Sequence, residues 1–368
     1  MALRAHPPSG YPTPGMTLLQ GDDPAALAAA AQRLADGGLV AFATETVYGL
    51  GARADDASAV AAIFAAKGRP ADHPLIVHVV DLAQAAHFAA ELPASARRLM
   101  AAFWPGPVTV IVPRAPGVAA AAAGGQASIG LRCPSHPVAR ALLREAARCG
   151  VAGVAAPSAN RFGRVSPTCA AHVVQEFGPD LWVVDGGDCP VGIESTIVDC
   201  SRGRPVLLRP GVLTRAQLEA ALGEPLHAAD AQAPRAPGTL ASHYAPRAQV
   251  RLRPAAALAR EAATLTMARE AATLTLARAV ATPAPAEHPD SAAQAAGKGL
   301  AVYSRRVGDA PPGALWRRMP DDPAAVAHEL FAVLRDLDDT GVAEIWVEQP
   351  PEGPAWEGVL DRLHRAAH

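Results

Sequence analysis

Short apolar runs and longer stretches with helical spacing take turns along most of this chain, separated by polar joints rich in glycine and proline. That succession predicts an α/β fold. Asp23 followed by Pro24 caps a helix that ends at Gly37-Gly38. An apolar strand, Leu39–Ala43, then runs into the polar turn TETVYGLG. Asp56 or Ser58 caps the next helix, whose Val60, Ile63 and Phe64 share a face and which ends in Lys67-Gly68. A strand at 75–80 follows, then helical stretches at 82–90 and 94–103 and a break at Trp104-Pro105-Gly106-Pro107. Strands are predicted at Val108–Val112 and 127–131. Between them, Ala115–Gln126 is rich in alanine and glycine, shows no periodic face, and reads as a mobile loop. A helix at 136–148, a strand at 152–156, a helix near 168–177, strands near 182–185, 195–199 and 205–209, and a helix at 214–222 complete this part.

From 223 to 247 the composition turns to alanine, proline, glycine and histidine, which predicts a linker; it holds one dense polar cluster, Ser242-His243-Tyr244. The alternation then resumes, with strands at 248–252, 299–303 and 343–347 and helices at 255–279, 322–337 and 356–366, the pattern of a small open α/β domain. It contains no G-x-G-x-x-G, which argues against a dinucleotide site. The chain thus divides into a loose tail at 1–15, a first domain at 16–222, the linker, and a second domain at 248–368, with 281–297 of low complexity and read as disordered. AREAATLT occurs in tandem at 259–266 and 268–275, a duplication that lengthens a helix rather than a solenoid repeat.

Composition narrows the function classes. A chain of 368 residues suits two domains, and its net charge of −2 supplies no overall pull toward nucleic acid or membrane. Its five cysteines form no C-x-x-C pair and are odd in number, which argues against a zinc ribbon and a disulfide framework. The N-terminus has no apolar signal core and no run spans a bilayer, so a soluble, cytoplasmic protein is expected.

Candidate chemistry gathers after the first strand. Lys67 and Arg69 leave a helix end just before Pro70, so the backbone is extended there. Two neighbouring cations suit a polyphosphate, although the same residues also favour an ordinary helix C-terminus. Ser158 and Asn160 lie in a loop straight after a buried strand, where they serve either a ligand or a plain turn. Arg132 and Arg209 each end an apolar strand, SIGLR and PVLLR. His78 lies inside LIVHVV, a setting more typical of a core histidine, while His73 before Pro74 is freer. No H-E-x-x-H, G-x-S-x-G or Walker A pattern occurs, and Cys133 has no assignable histidine partner, so no nucleophile is identified.

Taken together, TETVYGLG, KGRPADHPLIVHV, PGPVTVIVP, SIGLRCPSHP, APSANRFGRVSPT, GIESTIVD and LLRPG resemble, in order, the threonylcarbamoyl-AMP synthases. The resemblance covers about residues 17–222, and SHYAP with the following domain is similar to the two-domain members. It implies a YrdC-like twisted mixed sheet with flanking helices, and a smaller Rossmann-like α/β domain after it. It implies condensation of L-threonine, bicarbonate and ATP to threonylcarbamoyl-AMP and pyrophosphate, with Mg2+ accompanying ATP. A transferase complex would then pass the group to tRNA beside the anticodon. By resemblance, Lys67, Arg69, His73, Ser128, Ser158, Asn160, Ser166, Arg209 and Tyr244 surround ATP, with Lys67, Arg69, Ser158 and Asn160 as the signature K-x-R…S-x-N. Thr46, His78, Arg132, Ala156 and Ser195 hold threonine. The linker is expected to act as a lid. Ala43 stands where this family usually has proline, and His73 where asparagine is common. Two rival readings compete: a non-catalytic binder of double-stranded RNA, which the lack of basic charge disfavours, and a hydrogenase-maturation carbamoyl transferase, whose zinc-finger C-x-x-C pairs are missing here.

Overall fold

A computed structural model of the chain describes residues 18–240, 243–264, 266–267, 299–305 and 313–368. The expected tail at 1–15, the low-complexity stretch 281–297 and the whole second AREAATLT copy at 268–275 lie outside the described residues. Two compact units emerge. The first comprises the chain through Phe162, Ser166–Arg209 and Arg215–Pro237; the second comprises Gly163–Val165, Pro210–Thr214 and Gly238–His368.

Helices in the first unit begin and end where the local chemistry dictates. The Asp23 carboxylate accepts the Ala25 N–H at the start of α1 (Pro24–Ala35), and Gly37 beyond its end holds a φ of +82° that disfavours a side chain. Asp56 caps α2 (Ala57–Lys67), which stops at Gly68 in the left-handed region. The remaining helices are α3 (Leu82–Phe88), α4 (Ala94–Phe103), α5 (Pro137–Arg148), α6 (Ala170–Phe177) and α7 (Arg215–Leu222).

The strands are β1 (Leu18–Gln20), β2 (Val40–Phe42), β3 (Gly49–Arg53), β4 (Ile76–His78), β5 (Val108–Pro113), β6 (Ser128–Arg132), β7 (Val154–Ala155), β8 (Trp182–Asp185), β9 (Thr196–Asp199), β10 (Val206–Arg209) and β11 (His227–Ala228). Among the described residues they form one sheet in the order β1-β8-β2-β3-β7-β4-β6-β5-β9-β10-β11, with parallel and antiparallel pairs. The expected mixed sheet is therefore present. Helices α1 and α5 pack Leu27, Leu34, Leu142 and Leu143 onto Val40, Phe42, Val154 and Val184, and Ala30, Ala31, Ala139 and Ala146 lie in the same cluster. Each large side chain buried there contributes about 1.5–3 kcal/mol.

The structure corrects three expectations. The turn TETVYGLG leads straight into β3, which pairs with β2, so a strand starts inside the motif. Its glycines hid it from propensity, yet they are required: a Cβ on Gly51 would lie 2.8 Å from the Phe42 ring and 2.9 Å from Val154. The Ala115–Gln126 stretch is folded on itself instead of loose. Arg114 donates to the carbonyls of Gln126, Ala115 and Val118, and Ala122 and Ala123 are fully buried. Within the stretch read as linker, β11 joins the sheet and Ala236 packs against Ile76, Ile111 and Ile197.

Among its described residues the second unit holds four parallel strands, β12 (Gln249–Arg253), β13 (Leu300–Ser304), β14 (Leu315–Arg318) and β15 (Glu344–Glu348), in the order β12-β15-β13-β14. Helix α8 (Pro323–Asp339) starts at the Asp322 cap and buries Leu330, Phe331 and Leu334; α9 (Glu357–Ala366) buries Val359 and Leu363. Residues 255–264 are helical, as expected, and β14 is a strand that sequence reading missed.

Gly51→Ala should lower stability by about 1–3 kcal/mol through overpacking against Phe42 and Val154. Urea denaturation checks this, and an unchanged midpoint would show that the close approach is not what selects glycine.

Candidate active site

Side chains of paired strand residues share a face, and residues two apart return to it. Followed through the register, one face of the sheet beyond the α1–α5 cover collects the predicted polar groups. His78 pairs with Arg132, and two residues earlier Ile76 pairs with Gly130. Gly130 also pairs with Ile111 on β5, and Thr109, two residues before Ile111, pairs with Ile197. Ile197 pairs in turn with Arg209. Ile76, Thr109, Ile111, Ser128, Gly130 and Ile197 line an open cleft together with Arg235 and Pro237.

The motif loops close the adjoining end. Leu50 N–H donates to the Pro157 carbonyl and Ala159 N–H to that of Tyr48, which zips TETVYGLG to the loop PSAN. The Lys67 ammonium, only 3% exposed, donates to the Ser158 carbonyl at 2.6 Å and to that of Asn160. K-x-R and S-x-N therefore meet in space. Burial, aided by nearby Arg69, holds the Lys67 amine well below its usual pKa, while Glu176 and Glu194 act in the opposite sense. Lys67 acts in this arrangement as a staple for the loop. Arg69 is half-buried and donates to the Pro74 carbonyl at 2.8 Å. His73 stacks edge-on to Phe162, and burial and Arg69 lower its pKa.

On the other side, Ser195 Oγ lies 2.8 Å from Thr109 Oγ1, and Arg209 holds the Ser195 carbonyl through Nε and Nη2. Arg209 Nη1 reaches the Pro237 carbonyl at 3.0 Å. Thr46 is buried, its hydroxyl 2.9 Å from that of Thr44. Ala156 is buried, its N–H donating to the Ile76 carbonyl. His78 is buried edge-on to Phe42; desolvation and Arg132 push its pKa down to about 3, so it is neutral at ordinary pH. Of the residues predicted for the site, all but Tyr244 lie in the first unit. Tyr244 belongs to the second, where its ring packs on Phe331 and beneath the Arg362 guanidinium.

Sequence reasoning missed the acids. Ser166 donates to the buried Glu194, Glu176 accepts the Arg161 N–H at 3.0 Å, and Glu45 lies 2.7 Å from Arg132. The usable signal was the rule that a buried cation needs a partner, applied to the glutamates inside T-E-T and G-I-E-S-T.

The sequence matches the family described as "Telomere recombination" over residues 32–211 and the "Threonylcarbamoyl-AMP synthase, C-terminal domain" over 213–368. The threonylcarbamoyl-AMP synthase of Pyrococcus abyssi is 36% identical over 346 residues, covering 92% of this chain and 93% of that one. The chain belongs to the Sua5–YciO–YrdC family. The Bacillus subtilis threonylcarbamoyl-AMP synthase of this family is 44% identical over 229 residues, which is 60% of this chain and 65% of that relative. Among solved structures, P. abyssi Sua5 complexed with L-threonine superposes with a TM-score of 0.80 at 33% identity, covering 96% of this chain and 97% of that one. The sequence resemblance to this family, and the fold it implied, are thereby confirmed.

His78 sets a pH signature. Its folded pKa of about 3 lies below the ordinary 6.5, so between those values the unfolded chain binds a proton that the native chain refuses. Stability should thus fall as pH drops from 6.5 toward 3, by up to about 1.4 kcal/mol per pH unit for this group. His73 and His136, also lowered, add in the same direction. His78→Gln should flatten the slope in urea titrations at pH 6.5 and 5.5; an identical slope would refute the assignment.

Proposed function

We propose that the protein is a nucleotidyltransferase that condenses L-threonine, bicarbonate and ATP to threonylcarbamoyl-AMP with release of pyrophosphate. A threonylcarbamoyl transferase complex acting on tRNA would consume the product. The observation that supports it most is the row of His78, Arg132, Ser195 and Arg209 on one sheet face, in a chain so similar to a relative solved with L-threonine.

In this reading Arg132 takes the amino-acid carboxylate. Neutral His78 and Thr46 face the side-chain hydroxyl, and Ser195 and the Ala156 backbone complete the pocket. Arg69, His73, Ser128, Ser158, Asn160, Ser166 and Arg209 surround ATP around the Lys67 staple. The threonine amine and bicarbonate give a carbamate and water; a carbamate oxygen attacks the α-phosphorus and pyrophosphate leaves with the bond electrons. An anion must approach an anionic phosphorus, so charge neutralisation by fixed cations is the main catalytic term and positioning the next. The chemistry requires no protein nucleophile. Among the described residues no three His, Cys, Asp or Glu side chains gather into a metal site. Magnesium would arrive with the phosphates of ATP. Arg235 and Pro237, which line the cleft, would help exclude water from the labile mixed anhydride.

Pyrophosphate release from ATP should require both L-threonine and bicarbonate. Arg69→Ala should reduce it by about 10²–10³-fold, the cost of one lost charge-stabilising donor. Its melting temperature should stay near that of the wild type, whereas Lys67→Ala should lose activity and also loosen the 158–160 loop. Release independent of threonine, or near-normal release from folded Arg69→Ala, would overturn the assignment.

A further inference from the structure

Two short pieces of chain, Gly163–Val165 and Pro210–Thr214, interrupt the sequence of the first unit yet belong to the second. Each is one peptide bond away from a residue read above as an ATP contact: Val165 precedes Ser166, and Pro210 follows Arg209. Each is also held by a buried arginine. Arg335 on α8, 7% exposed, donates through Nη2 to the Val165 carbonyl. Arg362 on α9, 1% exposed, donates through Nη1 to the Pro210 carbonyl at 2.9 Å. The first piece is tied further: Ala245 N–H donates to the Gly163 carbonyl at 2.9 Å, and Arg164 Nη2 lies 3.9 Å from the Asp338 carboxylate.

A buried guanidinium is costly unless its N–H groups find acceptors. In both cases an acceptor is a backbone carbonyl, so the charge holds main chain. The Val165 carbonyl lies in the same planar peptide unit as the Ser166 nitrogen, and fixing one fixes the other. Pro210 passes its hold on by a different route. Its ring locks φ, which removes one of the two rotations between its carbonyl and the Arg209–Pro210 peptide. The two residues so placed then reach neighbours in sequence: Ser166 donates to Glu194, and Arg209 donates to the Ser195 carbonyl at 2.9 Å. We propose that Arg335 and Arg362 are positioning residues for nucleotide binding, which set Ser166 and Arg209 through the carbonyls beside them. The inference rests on the reading of Ser166 and Arg209 as ATP contacts. It gives the second unit a part in the reaction that requires no contact of α8 or α9 with a substrate.

Calorimetric titration of the full chain, with ATP alone and with L-threonine alone, tests this. Arg335→Gln should weaken ATP about tenfold, within the worth of a hydrogen bond to a charged group. It should leave threonine unchanged, since no residue assigned to threonine adjoins Val165. Arg362→Gln should weaken ATP by a similar factor. Wild-type ATP affinity in both variants, or equal weakening of ATP and threonine by Arg335→Gln, would overturn the role of these arginines. If Arg335→Gln fails to fold, Arg335→Lys decides. With one ammonium in place of the planar fork, it should weaken ATP alone, and an unchanged ATP affinity overturns the proposal. A wild-type chain that binds no ATP would instead sink the reading of the site.

Discussion

A lysine ammonium almost without water is what the first unit is arranged around. Lys67 ends α2, and its Nζ is spent on the backbone carbonyls of Ser158 and Asn160. Those carbonyls belong to the loop zipped to TETVYGLG, and the Lys67 carbonyl itself accepts the Phe162 N–H at 2.9 Å. Leaving such a cation unpaired in a low dielectric would cost several kcal/mol. The helix end, the strand loop and the T-E-T turn therefore hold one another in place.

The second constraint is the two-residue period of the sheet. One face is apolar where α1 and α5 cover it, through Phe42, Val154 and Val184, and becomes a cleft where those helices stop. The strands on both sides of that border are continuous in register, so His78 is the neighbour of Val154 on one side and Arg132 on the other. Core packing thereby fixes the orientation of the polar row. Preorganisation follows without further devices, because a side chain can leave the row only if its strand slips and exposes the core.

Charge in the first unit is balanced locally. Arg132 faces Glu45, Arg209 faces the Ser195 and Pro237 carbonyls, and Glu176 and Glu194 lie within electrostatic reach of Lys67. The second unit shows the same economy around Arg305 and Glu348, paired at 2.9 Å with little exposure. There Tyr244 holds a φ of +61°, uncommon for a bulky residue, against Phe331 and Arg362.

What the chain determined by itself was local. Asp23, Asp56 and Asp322 capped their helices, Gly68 ended one, and the apolar runs became β2, β4, β5, β6, β9 and β10, because caps, φ preferences and periodicity act over a few residues. The ordered motifs placed the family. The tertiary structure decided the rest. G-L-G-A-R is a strand only because Phe42 and Val154 press where a side chain would stand, and an alanine-rich stretch is ordered only because Arg114 gathers its carbonyls. Glu45, Glu176 and Glu194 gained their meaning from cations distant in the chain, and whether Lys67 is a surface charge or a buried staple depended on where the loop at 158–160 came to lie. Burial and electrostatics are properties of the packed whole, and no window of sequence contains both partners of such a pair.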